Sequence, residues 1–105
     1  MTIIDTNMLE TREKLPGWRG NIFHSANMTF AHWTFSAGAV IRRHEHEQEE
    51  VWHVIGGELE IRFGGETHIA GPGIVAIIPS HTAHQVRALT DGKAIVADFP
   101  VRQGF

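Results

Sequence analysis

From residue 28 onward, apolar and polar residues alternate in short segments, and a turn signal follows each segment. The first segment, MTFAHWTF, is rich in β-branched and aromatic residues, and Gly38 closes it. Glycine pairs and prolines separate the later segments, because tight hairpins need the backbone angles that such residues supply. The pattern predicts short strands at Met28–Phe35, Val40–His44, Val51–Ile55, Glu58–Phe63, Thr67–Ile69, Ile74–Ile78, Val86–Leu89 and Ala94–Phe99.

Strands of this length and spacing are typical of an antiparallel sandwich or barrel. No helical period is visible after residue 20. Residues 2–20 are polar and poorly periodic, and the sequence predicts no more than an arm or a short strand there. The predicted fold class is therefore all-β.

Composition narrows the functional classes. The chain has 105 residues, a net charge of −3 and nine Lys plus Arg residues, so no basic surface dense enough for nucleic acid or an anionic membrane is expected. It has no cysteine, which excludes disulfides and suits a cytoplasmic location. No apolar run reaches the length of a signal peptide or a membrane span. We expect one domain whose partner is a small molecule.

Histidine is the exception in this ordinary composition, with eight residues in the chain. In the stretch RRHEHEQEEVW, residues His44, His46 and Glu50 are separated by even intervals. Side chains two apart on a strand share a face, so these three would point the same way. Two imidazoles and a carboxylate suit a divalent metal. The alternative is a solvated charged loop, which short motifs of this kind more often are.

A second histidine motif lies far along the chain, where His84 follows the proline of the segment IIPSHTAH. The two motifs together resemble those of the cupin family. The first is matched throughout by Gly38, His44, His46, Glu50 and Gly57, and the second by Gly73, Pro79 and His84. The second motif departs from the family at His81, where glycine is usual, and at Ala88, where asparagine is frequent.

This resemblance spans roughly Met28–Pro100 and implies a double-stranded β-helix, also called a jelly-roll barrel. We therefore assign residues 27–105 to the barrel domain and residues 1–26 to an N-terminal arm or edge strand. It implies one divalent metal ion (Zn, Mn, Fe, Ni or Co) with His44, His46, Glu50 and His84 as its ligands. It also implies a homodimer, since small cupins are commonly dimers. The sequence also favours a dimer, because one strand carries apolar residues on both faces, and both cannot lie inside one small barrel. Ala31, Trp33 and Phe35 lie on one face of that strand and Phe30 lies on the other.

Within the family, the chain looks most similar to small cupins of pectin degradation that open unsaturated uronates. The similar segments include Asn27–Thr29, Gly57–Glu60 and the tail Phe99–Phe105. One departure is serious, because Val96 stands where those proteins have an aspartate and Asp98 where they have a phenylalanine. The expected function is thus a metal-dependent enzyme on a small oxygenated metabolite, either a sugar-acid isomerase or lyase or a dioxygenase. The alternative is a non-enzymatic binding or sensor protein.

The alternation of side chains along a strand predicts which way the residues around the motifs point. Trp52 has the parity of Glu50 and is expected to point into the barrel as part of the pocket wall, whereas His53 is expected on the outer face. His81, Asp98 and Arg42 are the other titratable or anchoring groups to consider near the site. His81 either lines its entrance or, as is more common for such a residue, lies in a surface loop. Arg42 either reaches a ligand carboxylate or lies on the surface.

Overall fold

The computed structural model describes residues 1–105, and its regular structure is almost entirely β-strand. Its single helix is a 3₁₀ turn at Thr6–Met8, and no helix is long and apolar enough to span a membrane. The strands are β1 Arg12–Leu15, β2 Trp18–His24, β3 Thr29–Phe35, β4 Val40–His44, β5 Glu49–Gly56, β6 Leu59–Phe63, β7 Glu66–Ala70, β8 Val75–Ile78, β9 His84–Ala88 and β10 Gly92–Phe99.

The strands form two antiparallel sheets. One has six strands in the order β1-β2-β3-β10-β5-β8, and the other has four in the order β4-β9-β6-β7. Alternate side chains of β5 and β10 are buried, because each strand presents one face to the core and the other outward. The all-β class is confirmed, and every strand predicted after residue 28 is present with boundaries that differ by a few residues.

The core lies between the sheets and is centred on aromatic rings. Trp18 is fully buried, and its ring centroid lies 5.5 Å from that of Phe35 and 5.8 Å from that of Trp52. Trp18 begins β2. The sequence pattern predicted no more than an arm or a short strand in this region. The reason is Gly20, which faces inward where an apolar residue would complete the alternation. A Cβ atom at this position would lie 2.1 Å from the carbonyl oxygen of His32.

The apolar residues of β3 lie on both faces of the strand, and only one face is inside, as the reasoning behind the dimer prediction expected. Ala31, Trp33 and Phe35 are all buried in the core. Only Phe30 lies on the outer face, where it is half-buried and stacks on Phe23 with ring centroids 5.2 Å apart. A dimer surface therefore has to be sought elsewhere on the outer face.

Candidate metal centre

The four predicted ligands come together at one end of the barrel. His44 ends β4 and His84 begins β9, and the two residues are cross-strand partners. Glu50 lies on β5, and His46 lies in the loop between β4 and β5. The ring centroids of His44 and His84 are 4.3 Å apart, and those of His46 and His84 are 5.2 Å apart. One potential ligand nitrogen from each of the three histidines lies within 4.8 Å of the others.

The turn before β9 holds the loop that carries His46. The backbone N–H of His81 donates to the backbone carbonyl of His46 at 2.8 Å, and the Ser80 hydroxyl donates to the carbonyl of Glu47. His81 has a φ angle of 58°, so it adopts the left-handed conformation for which glycine is usual. Its side chain is exposed and lines no cavity beside the ligands, so its contribution to the site is made by its backbone.

Backbone carbonyls fix the orientation of all three imidazoles. Nδ1 of His44 lies 2.8 Å from the carbonyl oxygen of Arg42, and Nδ1 of His46 lies 3.1 Å from that of Gln48. Nδ1 of His84 lies 2.8 Å from the carbonyl oxygen of Thr82. A carbonyl oxygen only accepts hydrogen bonds, so each Nδ1 carries the proton and donates it. In the neutral ring, Nε2 is then left with a free lone pair, which is the arrangement usual for metal-ligating histidines.

Two of these lone pairs face the Glu50 carboxylate. The Nε2 atoms of His46 and His84 lie 3.3 Å and 3.1 Å from its two oxygens. Both nitrogens are buried, and neither has a partner in hydrogen-bonding geometry. Lone pairs on nitrogen and oxygen repel each other at such distances unless a cation lies among them. The donor set, three imidazoles and one carboxylate, fits a divalent transition metal.

Glu50 is buried but strongly supported. Its side chain is only 4% exposed, and the indole N–H of Trp52 donates to its Oε2 at 2.7 Å. Burial alone would raise the pKa of Glu50, but contacts with His46 and His84, and then with Asp98 and Trp52, hold the pKa well below its usual value. The carboxylate is therefore ionised and available as a ligand at neutral pH.

Asp98 faces Glu50 from β10, where the two residues are cross-strand partners. Burial, followed by the negative charge of Glu50, raises the pKa of Asp98 to about 8. Its buried Oδ1 has no hydrogen-bond partner, and its Oδ2 lies 3.7 Å from Nη1 of Arg102. Asp98 therefore lies beside the ligand set, but it does not line the cavity in front of it.

The pKa values of the histidines shift in opposite directions. Burial lowers the pKa of His44. Burial also acts to lower the pKa of His84, but the contact with the Glu50 carboxylate, the hydrogen bond to the Thr82 carbonyl and the negative charge of Glu50 outweigh it, and the pKa is raised. Without a metal ion, His84 is therefore protonated more readily than His44.

A cavity of about 330 Å³ opens in front of His44 and Glu50. This volume is at the small end of the range for ligand pockets. The cavity is lined by Lys14, Leu15, Trp33, Ile41, His44, Glu50, Trp52, Val96, Arg102, Gln103, Gly104 and Phe105.

The remaining sequence expectations have mixed outcomes. Trp52 lines the cavity and His53 is exposed on the outer face, as parity indicated. The side chain of Arg42 makes no ion pair with a ligand carboxylate. Arg102 takes that place instead, with Nη1 3.6 Å from Oε1 of Glu50.

Arg102 was missed because it follows the last strand, where strand parity no longer applies. The tail bends back so that the Arg102 guanidinium lies over the ring of Phe105, 4.3 Å from its centroid, and its backbone N–H donates to the Thr29 hydroxyl at 2.9 Å. No local signal in the sequence indicates this return.

Comparison with known proteins identifies the family. The model of the cupin domain matches residues 31–100, a span that holds all four predicted ligands. The chain belongs to the cupin family. The expected jelly-roll fold is thereby confirmed. A search of curated proteins finds no match.

Solved cupin structures agree closely with this one. KdgF from Halomonas sp. has a TM-score of 0.90 and 26% identity, with 98% of this chain and 96% of that chain covered. An RmlC-like cupin from Desulfovibrio desulfuricans has 31% identity and a TM-score of 0.76, with 96% of this chain and all of that chain covered. Ectoine synthase from P. lautus, at 19% identity and a TM-score of 0.86 over 99% of this chain and 81% of that chain, shares the fold.

Proposed function

We propose that this cupin holds one divalent metal ion through His44, His46, Glu50 and His84 and uses it to act on a small oxygenated acid. The observation that carries the proposal is the set of imidazoles tied at Nδ1 to backbone carbonyls, with two buried Nε2 atoms facing an ionised carboxylate. Imidazole and carboxylate together suit Zn, Mn, Fe, Ni or Co, and availability in the cell selects among them.

The bound ion supplies Lewis-acid or redox chemistry, and the protein supplies the position of the substrate. Four protein ligands would leave positions on the ion free for substrate oxygens, which distinguishes a catalytic site from a closed structural one. Both His44 and Glu50 line the cavity, so a molecule in the cavity has access to this part of the ligand set. Arg102 lies beside Glu50 and adds a positive charge for an acidic substrate.

The cavity lining favours an oxygen-using reaction over isomerisation. An isomerase or lyase needs a residue that moves a proton at the substrate carbon. Apart from Glu50 and His44, the lining contains no carboxylate and no imidazole, and its remaining proton-transfer group, Lys14, is exposed. Val96 lies in the wall at the position where the uronate-opening cupins that the sequence resembles have an aspartate. That resemblance supports the isomerase or lyase as the second candidate.

A dioxygenase reaction needs no such residue. Cleavage of an enol C=C bond by O₂ places one oxygen atom on each carbon and yields two carbonyl products. Dioxygen is the oxidant, both of its atoms are retained, and no external reductant is consumed. The side chains would orient the enol and exclude water, which the buried rings of Trp33 and Trp52 are placed to do.

Metal content and oxygen uptake test the proposal separately. Protein purified without added metal should contain one equivalent of a divalent metal by elemental analysis, and the His44→Ala/His84→Ala double variant should contain none. Unchanged occupancy in that variant would overturn the ligand assignment. O₂ consumption by the iron-loaded protein with enolisable acids would support the oxygenase. Metal-dependent binding without any turnover would indicate a binding or sensor protein instead.

We further propose a cytoplasmic homodimer. Apolar side chains on the outer face of the six-stranded sheet form an outer patch, and all are at least 37% exposed: Ile55, Val75, Ile77, Ile95 and Phe99. Their strands β8, β5 and β10 are adjacent in the sheet. Exposed apolar groups gathered on one face favour association with a second copy through a two-fold interface.

A further inference from the structure

The cavity in front of the ligand set is divided into a polar edge and an apolar wall. His44, Glu50 and Arg102 form the edge. The most buried part of the wall consists of Trp33, Trp52 and Val96, which are 5%, 2% and 3% exposed, and Ile41 and Phe105 extend it. Lys14 and Gln103 are exposed and therefore lie at the mouth.

The apolar wall is a poor surface for a sugar. Its side chains carry no hydroxyl, carboxylate or amide group, and the indole N–H of Trp52 is already bonded to Glu50. The only other polar group of these side chains is the indole N–H of Trp33. A sugar pressed against this wall would therefore lose more hydrogen bonds to water than the wall can replace, which is unfavourable. Hydrocarbon or aromatic surface would instead gain by leaving water and packing on the rings.

The polar edge favours an anion. A divalent ion and the Arg102 guanidinium carry more positive charge than Glu50 and Asp98 neutralise, even with both carboxylates ionised. The planar fork of arginine suits a carboxylate, and Nη1 of Arg102 lies 3.6 Å from Glu50, a ligand of the proposed ion. One carboxylate can therefore interact with Arg102 while an adjacent oxygen reaches the ion.

We propose that the substrate is a small 2-oxo or enol acid with an apolar body, not a polyhydroxylated sugar acid. Its carboxylate and adjacent oxygen lie at the edge formed by His44, Glu50 and Arg102, and its body packs on Trp33, Trp52 and Val96. The inference rests on the proposed function and names the class of substrate for the same site. A body the size of one aromatic ring fits within the 330 Å³ cavity, which adjoins a larger and more open cavity along Leu15, Ile41, His44 and Arg102.

Binding to the metal-loaded protein, measured by calorimetry without oxygen, tests the inference. The probes are phenylpyruvate, galacturonate and phenylacetone, the last of which keeps the apolar body but lacks the carboxylate. Phenylpyruvate should bind at least about tenfold more tightly than the other two, a ratio typical of pocket discrimination. Equal or tighter binding of galacturonate would overturn the apolar-body inference, and equal binding of phenylacetone would overturn the role of the carboxylate.

A change in the wall provides a second test. Val96→Thr keeps the volume and adds a hydroxyl, so it should weaken phenylpyruvate binding by about three- to tenfold while galacturonate binding is unchanged or tighter. Val75→Thr makes the same change on the outer face, where Val75 is 50% exposed, and should leave both affinities unchanged. Equal effects of the two variants would contradict the proposed place of the apolar body.

The same samples separate this inference from the proposed function. A protein that holds its metal but prefers galacturonate would overturn the substrate class alone. Phenylpyruvate binding that is equally tight in the metal-free protein would contradict the proposed function, while the preference for an apolar body would stand.

Discussion

Replacement of Trp52 by phenylalanine should weaken metal binding without unfolding the barrel. The change removes the indole N–H that donates to Oε2 of Glu50 at 2.7 Å. The Glu50 side chain is 4% exposed, so water cannot readily supply a substitute donor. The ring of phenylalanine preserves most of the packing against Trp18, whose centroid lies 5.8 Å from that of Trp52.

The magnitude follows from the charge of the acceptor. A hydrogen bond to a charged group contributes about 1.5–3 kcal/mol, which corresponds to about a tenfold to hundredfold loss of metal affinity if Glu50 is a ligand that the bond orients. The Kd of the metal should be measured by competition with a chromophoric chelator. Thermal unfolding of the metal-free protein, measured in parallel, reports the packing loss.

Trp33→Phe is the matched control. Trp33 is 5% exposed, lies in the same cavity wall and packs on Trp18 with a centroid separation of 6.2 Å, but it makes no bond to Glu50. Both variants should lose similar stability through the smaller ring, and only Trp52→Phe should lose metal affinity by tenfold or more. Equal metal Kd values for the two variants would refute the role of the Trp52 N–H and weaken the assignment of Glu50 as a ligand.

Three further predictions concern pH, backbone strain and assembly. The pKa of Asp98 is raised from 3.8 to about 8 in the folded protein, so between these pH values the folded state binds more protons than the unfolded state. The metal-free protein should therefore lose stability as the pH rises through this window. Asp98→Asn should remove most of that loss in chemical denaturation from pH 4 to 8, and a pH profile identical to that of the wild type would contradict the prediction. His81→Gly should stabilise the fold by up to about 1 kcal/mol in urea unfolding, because His81 has a φ angle of 58°, and a destabilised variant would show that the imidazole makes a compensating contact. Ile77→Lys, at a side chain that is 56% exposed in the outer patch, should convert a dimer to a monomer by light scattering, whereas His68→Lys on the four-stranded sheet should not; a wild-type monomer would count against the dimer itself.

Strand parity accounts for most of what the sequence predicted correctly. Glu50 and Trp52 point inward and His53 outward because successive side chains on a strand alternate. The same rule failed where a strand lacks a regular apolar pattern, as in β2, whose inward Gly20 makes room for the backbone of β3. It also could not decide which face of β3 is inside, since both faces carry aromatic residues, and the structure places Trp33 inward and Phe30 outward.

Some features of the candidate site were predicted from the sequence, and others were visible only in the structure. The spacing of the two histidine motifs named His44, His46, Glu50 and His84, and the structure brings these residues together. The spacing did not indicate that backbone carbonyls tie the Nδ1 atoms, or that Arg102 rather than Arg42 lies beside Glu50. Those features depend on the path of loops and of the tail, where no regular period relates sequence distance to direction.

The sequence by itself therefore determined the fold class, most strands and a candidate ligand set, because these depend on a two-residue period, on turn residues and on short spacings. Only the tertiary structure decided the character of the cavity. Its wall combines Trp33 from β3, Trp52 from β5, Val96 from β10 and Phe105 from the tail, and such a surface exists only after distant segments have packed. The apolar contacts that fold this barrel also line its cavity, so the substrate preference that we propose follows from packing and not from a motif.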